Sequence, residues 1–292
     1  MMVKIHQFAI ASLNFGFPIA AVIAVLAFVC TGAAQTASVN RVDPVNQLVE
    51  HVMQNESRAD TNDHSHWVYR DQKRTPETNT VKIVVETAAG DVAKTIELAG
   101  RALTAEERRQ DDKDMEELVN SPDRQQKARR ASEHDDQQAH AFMQVLPVAF
   151  IWTEASRNDS TATLNFKPNP QFQPPSRELR VLGAMSGEMV VDLKEVRVIS
   201  LSGHLTAPVD FGWGLLGKLE KGGTFHIERR EIAPGEWQTT ETHVHIKGKA
   251  LFFKSISEQE DEETSGYKPT PPSLSLSQAA EMLEKGTIQP GL

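Results

Sequence analysis

Glu241, His243 and His245 recur at every second position of one short stretch. In an extended strand that spacing puts all three side chains on one face, where imidazole nitrogens and a carboxylate can hold zinc or copper. His64 and His66 repeat the spacing, while His204 and His226 stand alone. Nothing in the sequence brings these groups together and a third ligand is unassigned, so the stretch is read as a solvated strand face and no metal is expected. A second pattern, Gly212-Trp213-Gly214-Leu215-Leu216-Gly217-Lys218, matches G-x-G-x-x-G and the glycine and lysine part of a phosphate loop. Leu219 stands where that loop needs Ser or Thr for magnesium, and no βαβ unit surrounds it. Phe211, Trp213, Leu215 and Leu216 instead suit a glycine-jointed apolar loop that caps the mouth of a curved sheet or plugs its core. Ser200-Leu201-Ser202-Gly203 lacks the first glycine of a nucleophile elbow. Spacing alone selects no glycosidase pair among the 40 acidic residues. The expectation is a protein without catalytic residues or cofactor.

Composition narrows the class. The 292 residues carry 31 Lys and Arg against 40 Asp and Glu, a net charge of −9, which disfavours a nucleic-acid binder because neutralising phosphates needs a basic face. An aromatic content of 6% and a negative mean hydropathy exclude a multi-span membrane protein. The start reads as an export signal: Lys4, the apolar run Ile19 to Val29, then Gly32, Ala33 and Ala34 before Gln35. Residues 1–34 are expected to be a signal peptide cleaved after Ala34, placing the chain in the periplasm or outside the cell. The alternative is an uncleaved membrane anchor, interrupted by Asn14 and Pro18. Cys30 is the one cysteine, so a cleaved chain would hold no disulfide.

The elements that would position these groups follow from pattern. Asp43-Pro44 opens a helix whose Val45, Leu48, Val49 and Val52 form one apolar stripe. Alternation at Val81, Ile83 and Val85, the turn Ala89-Gly90-Asp91, and Ile96 with Leu98 predict a hairpin. Thr104 and Glu107 cap a charged helical insertion, 104–146, with a second helix from Asp123 through Phe142 that ends before Pro147. Strands then resume at 150–156, 161–166, 185–192, 195–205, 225–232, 237–246 and 250–256, joined by turns so short that neighbours must be antiparallel. The acidic run 258–263 and Pro269 to Pro272 read as a linker, followed by a short helix capped by Ser275 and Gln278. The expected layout is one α+β domain over 35–256, an open antiparallel sheet of roughly ten strands with covering helices, and a tail over 257–292.

The export signal, leading amphipathic helix and helix-interrupted meander together resemble the periplasmic lipoprotein-localisation carriers of the LolA/LolB type and the wider lipoprotein-sorting group. The most specific stretch runs from Val209-Asp210-Phe211-Gly212-Trp213-Gly214 through Gly222-Gly223-Thr224-Phe225. The resemblance implies an open half-barrel whose concave apolar face, lidded by helices, receives a lipid or lipoprotein acyl chain. The insertion and the acidic tail depart from it. Adaptable, bulky side chains nominate Met185, Met189, Phe211, Trp213, Leu215, Leu216 and Phe225 as the apolar lining; plain core packing is the competing reading. An envelope protein held by the charged helices and acidic tail is the alternative partner, and a metal-dependent envelope enzyme using His243 and His245 is the weaker third.

Overall fold

Asp43 accepts a hydrogen bond from the Val45 N–H (3.0 Å) and Pro44 occupies the first helical position, so the first helix starts where the sequence places it. In the computed structural model, which describes residues 43–176, 178–211, 217–250 and 254–291, the chain runs through the following elements. The helix α1 (Pro44–Asn62) leads into β1 (Trp67–Arg74), β2 (Asn79–Thr87), β3 (Gly90–Leu98) and the short β4 (Arg101–Ala102). Two helices follow, α2 (Ala105–Asn120) and α3 (Pro122–Ala149). Then come β5 (Phe150–Arg157), β6 (Thr161–Pro168), a 3-10 segment (Glu178–Ala184), β7 (Met185–Asp192) and β8 (Arg197–Leu205). The chain ends with β9 (Val209–Phe211), β10 (Gly217–Leu219), β11 (Thr224–Ala233), β12 (Glu236–Ala250), β13 (Lys254–Pro269) and α4 (Leu276–Glu284). The export segment expected over 1–34 lies outside the described residues. No described helix is long and apolar enough to cross a membrane.

Thirteen strands among the described residues form one open antiparallel sheet, in the order β4-β3-β2-β1-β13-β12-β11-β8-β7-β6-β5, with β10 paired to β12 and β9 to β10. The fold is therefore α+β with a large open sheet. Most neighbours are consecutive in sequence, as short turns require. The exceptions are β8 beside β11, β10 beside β12, and β13, which inserts between β12 and β1.

That strand corrects the reading of 257–292 as a linker with a short helix. Segment 258–269 lies in the sheet, paired with β12 up to Glu263 and with β1 from Asp261 to Pro269, so that Asp261 stands opposite His243 on one flank and Arg74 on the other. Its charge is tolerated because partners face it: Lys73 reaches Glu260 at 2.7 Å and Glu262 at 3.8 Å. Burial first, and then the nearby Asp71, push the Glu262 carboxyl up to about 7. The last helix docks through Leu276, Ala279, Ala280 and Leu283. A smaller correction concerns α3, which passes through Pro147 to Ala149; Pro147 has no N–H to give the Met143 carbonyl, and at the helix end the Leu146 carbonyl accepts from the Trp152 indole at 3.2 Å.

Two cores form, one on each face of the sheet. The larger joins α1 (Val49, Val52, Met53) and the end of α3 (Phe142, Met143, Leu146) to strands β5 to β8, β11 and β12. The smaller joins Val68, Ile83, Val85 and Val92 to Met115 of α2 and to α4. Between β7 and β8, Gly187 and Gly203 are cross-strand partners. A Cβ on Gly203 would lie 2.6 Å from the Phe225 ring, and one on Gly187 would lie 1.9 Å from the Ser202 carbonyl oxygen. Glycine is needed at both for this close approach.

Candidate functional site

A cleft of about 220 Å³ opens beside the larger core, between the last turns of α1 and the β11–β12 hairpin. Its walls include Asp60, Met143, Trp237 and Thr239. Glu56 comes one helical turn after Val52 on the buried stripe of α1 and is 3% exposed. Its carboxylate accepts from the Val198 N–H (2.7 Å), from Arg197 (3.0 Å) and from Arg229. Arg229 also donates to the Trp237 carbonyl at 3.1 Å, and the Arg197 guanidinium lies 5.8 Å from the Trp237 ring centroid. Burial alone would raise the Glu56 carboxyl; the charges of Arg229 and Arg197 outweigh it and hold the group below its usual range. One turn further, burial followed by the like charges of Asp136 and Asp63 pushes Asp60 up to about 7. The cluster clasps α1 to β8 and β11.

The residues nominated as an apolar lining fall into two groups. Met185, Met189 and Phe225 are 2%, 0% and 6% exposed and belong to the larger core. Trp213, Leu215 and Leu216 lie outside the described residues, as does the side chain of Phe211. In sequence they fall between β9 and β10, which pair antiparallel, Phe211 opposite Gly217.

On the opposite face of the sheet, register assembles what sequence separates. Phe225, Ile227 and Arg229 of β11 point to the core side, so His226, Glu228 and Arg230 point outward. His226 pairs with Ser202 on β8 and with His243 on β12; His243 pairs with Asp261 on β13; Glu228 pairs with Glu241. The rings of His226 and His243 are 5.9 Å apart at an interplanar angle of 21°. His226 Nδ1 lies 2.7 Å from Ser202 Oγ. Asp261 takes His243 Nδ1 at 2.7 Å and His245 Nε2 at 2.9 Å. Burial alone would raise the Asp261 carboxyl; the hydrogen bonds to His243 and His245 together with their charges outweigh it and hold the group below its usual range. The remaining nitrogens face acids, with His226 Nε2 3.9 Å from Glu228 Oε2 and His243 Nε2 3.7 Å from Glu241 Oε2. Arg230 bridges the two glutamates at 2.8 Å and 3.1 Å.

Of the three residues whose spacing first suggests a metal, Glu241 and His243 thus meet His226 and Glu228, while His245 turns to Asp261. Sequence reasoning left His226 standing alone and did not single out Glu228, because only the β11–β12 register makes them neighbours. His64 and His66 lie before β1, at the end of that strand away from Arg74 and Asp261.

No protein-family profile matches this chain, and no curated protein matches it.

Proposed function

We propose that the chain is a non-catalytic binding protein of the cell envelope, exported on its N-terminal segment, that receives a lipid or the acyl chain of a lipidated protein between sheet and helices. The observation that carries this reading is an open sheet covered in two separate cores, one on each face, by helices held through side chains, outside the backbone ladder. Covers of that kind part from a sheet without breaking strand pairing. Under the first of them sit Met185, Met189 and Phe225, side chains that adapt to a mobile chain. A half-barrel of the lipoprotein-sorting type is the finer form of the proposal, with the loop from Phe211 to Leu216 at its mouth.

Uptake of a fluorescent fatty acid by the purified chain, alongside thermal unfolding, tests it. The expected result is saturable uptake by the wild type, strongly reduced in Trp213→Ala with little change in melting temperature. No uptake by the wild type, or a Trp213→Ala variant that unfolds early yet binds the probe unchanged, would overturn the proposal.

A further inference from the structure

We propose that the outward face of β11 and β12 binds one divalent ion of the zinc class, held by His226, Glu228 and Glu241 with His243 completing the set. This inference is independent of lipid uptake, because the site lies on the face of β11 and β12 opposite the larger core and its helices α1 and α3.

Three features of the geometry carry it. Ligand atoms of His226, Glu228 and Glu241 already lie within 4.8 Å of one another. Tetrahedral zinc with bonds of ~2.0–2.1 Å to nitrogen and oxygen separates its ligand atoms by roughly 3.3 Å. The two nitrogen–oxygen distances, 3.9 Å at His226 and 3.7 Å at His243, therefore need to close by about half an ångström, a small movement for half-buried side chains.

The second feature is the state of the imidazoles. A ligating histidine ordinarily gives its other nitrogen to a fixed acceptor, which sets the tautomer and the ring plane. Here Ser202 holds His226 Nδ1 and Asp261 holds His243 Nδ1, both at 2.7 Å. In the tautomer that donates Nδ1–H to these acceptors, each Nε2 lone pair lies on the carboxylate side, where an ion would take it. The His243–Asp261 pair has the carboxylate–histidine arrangement that supports zinc ligands elsewhere.

The third is charge. Glu228 and Glu241 are directly opposed on neighbouring strands, an arrangement that like charges disfavour. Arg230 neutralises them, yet its side chain is 60% exposed. An ion entering between the carboxylates would displace the Arg230 guanidinium into water, so Arg230 acts as a competitor for the site.

That competition separates a metal site from an ordinary salt-bridged strand surface. The full chain, freed of metal with a chelator, is titrated with Zn²⁺ by calorimetry, with far-UV circular dichroism on every variant. Expected are one Zn²⁺ per chain, affinity reduced at least tenfold in His226→Ala and in Glu228→Gln, and reduced about tenfold in Asp261→Asn, which positions His243. Arg230→Gln is expected to tighten binding severalfold. Glu228→Gln keeps the side-chain volume, so the test survives if His226→Ala misfolds. Absence of saturable binding, binding unchanged in Glu228→Gln (zinc held elsewhere), or weaker binding in Arg230→Gln would each overturn the site.

Discussion

Replacing Glu56 by glutamine removes one negative charge from between two guanidinium groups and little else. Glu56, Arg197 and Arg229 are 3%, 8% and 8% exposed, so the arginines would be left buried against each other. Removing one partner of a buried ion pair costs about 3–5 kcal/mol, most of it the penalty of the uncompensated charge. The glutamine oxygen still accepts from the Val198 N–H, which places Glu56→Gln near the lower figure, about 3 kcal/mol. Glu56→Ala also orphans that N–H and adds roughly 1–3 kcal/mol. At about 2–4 °C per kcal/mol for a chain of this size, the glutamine variant should melt about 6–12 °C lower. The assay is urea unfolding with the slope checked for constancy, so that a midpoint shift reads as stability. The wild type gains stability from a Glu56 carboxyl held low, so that gain is present above the ordinary carboxylate range and lost as pH falls through the lowered value. Glu56→Gln should lose this acid limb. Replacing all three residues by methionine should recover much of the deficit. A loss below about 1 kcal/mol in Glu56→Gln, the scale of an exposed pair, would refute the clasp.

Two further outcomes follow from the sheet. Glu262, raised to about 7 by burial and by Asp71, has the opposite linkage: its protonated form favours folding at low pH, and that contribution is lost as pH rises towards 7. Glu262→Gln should therefore gain up to about 3 kcal/mol over wild type at pH 8 and nothing at pH 4, as denaturant midpoints at the two pH values will report. Gly203→Ala would drive a methyl to within 2.6 Å of the Phe225 ring and should cost about 1–3 kcal/mol of strain. Unfolding midpoints unchanged within error would show that Phe225 can turn aside.

Much of the fold was legible because its signals are local. Asp43-Pro44, the Thr104/Glu107 box and the Ser275/Gln278 box each mark a helix start that the structure contains. Alternation located the strands from β5 to β12 to within a few residues, apart from the short β9 and β10, because one face is buried and the other wet. Of β13 (Lys254–Pro269) only the start falls within the strand expected over 250–256; its acidic stretch was missed, since Glu258 to Glu263 reads by composition as solvated chain. What makes it a strand is non-local: Lys73, His243 and His245 waiting on its flanks. Glu56 was invisible for a similar reason, because a glutamate on an amphipathic helix gives no sign that two arginines from distant strands will surround it. The outer histidine site was half legible. Period two grouped Glu241 with His243, but the meeting with His226 and Glu228 depends on register across β11 and β12, which turn chemistry alone does not determine.

Native mass spectrometry of the chain recovered from the envelope of expressing cells, followed by solvent extraction, tests the central claim most directly. The account predicts a bound mass that resolves on extraction into phospholipid or acyl chains. A chain that emerges bare, and stays bare after incubation with phospholipid vesicles, would contradict it.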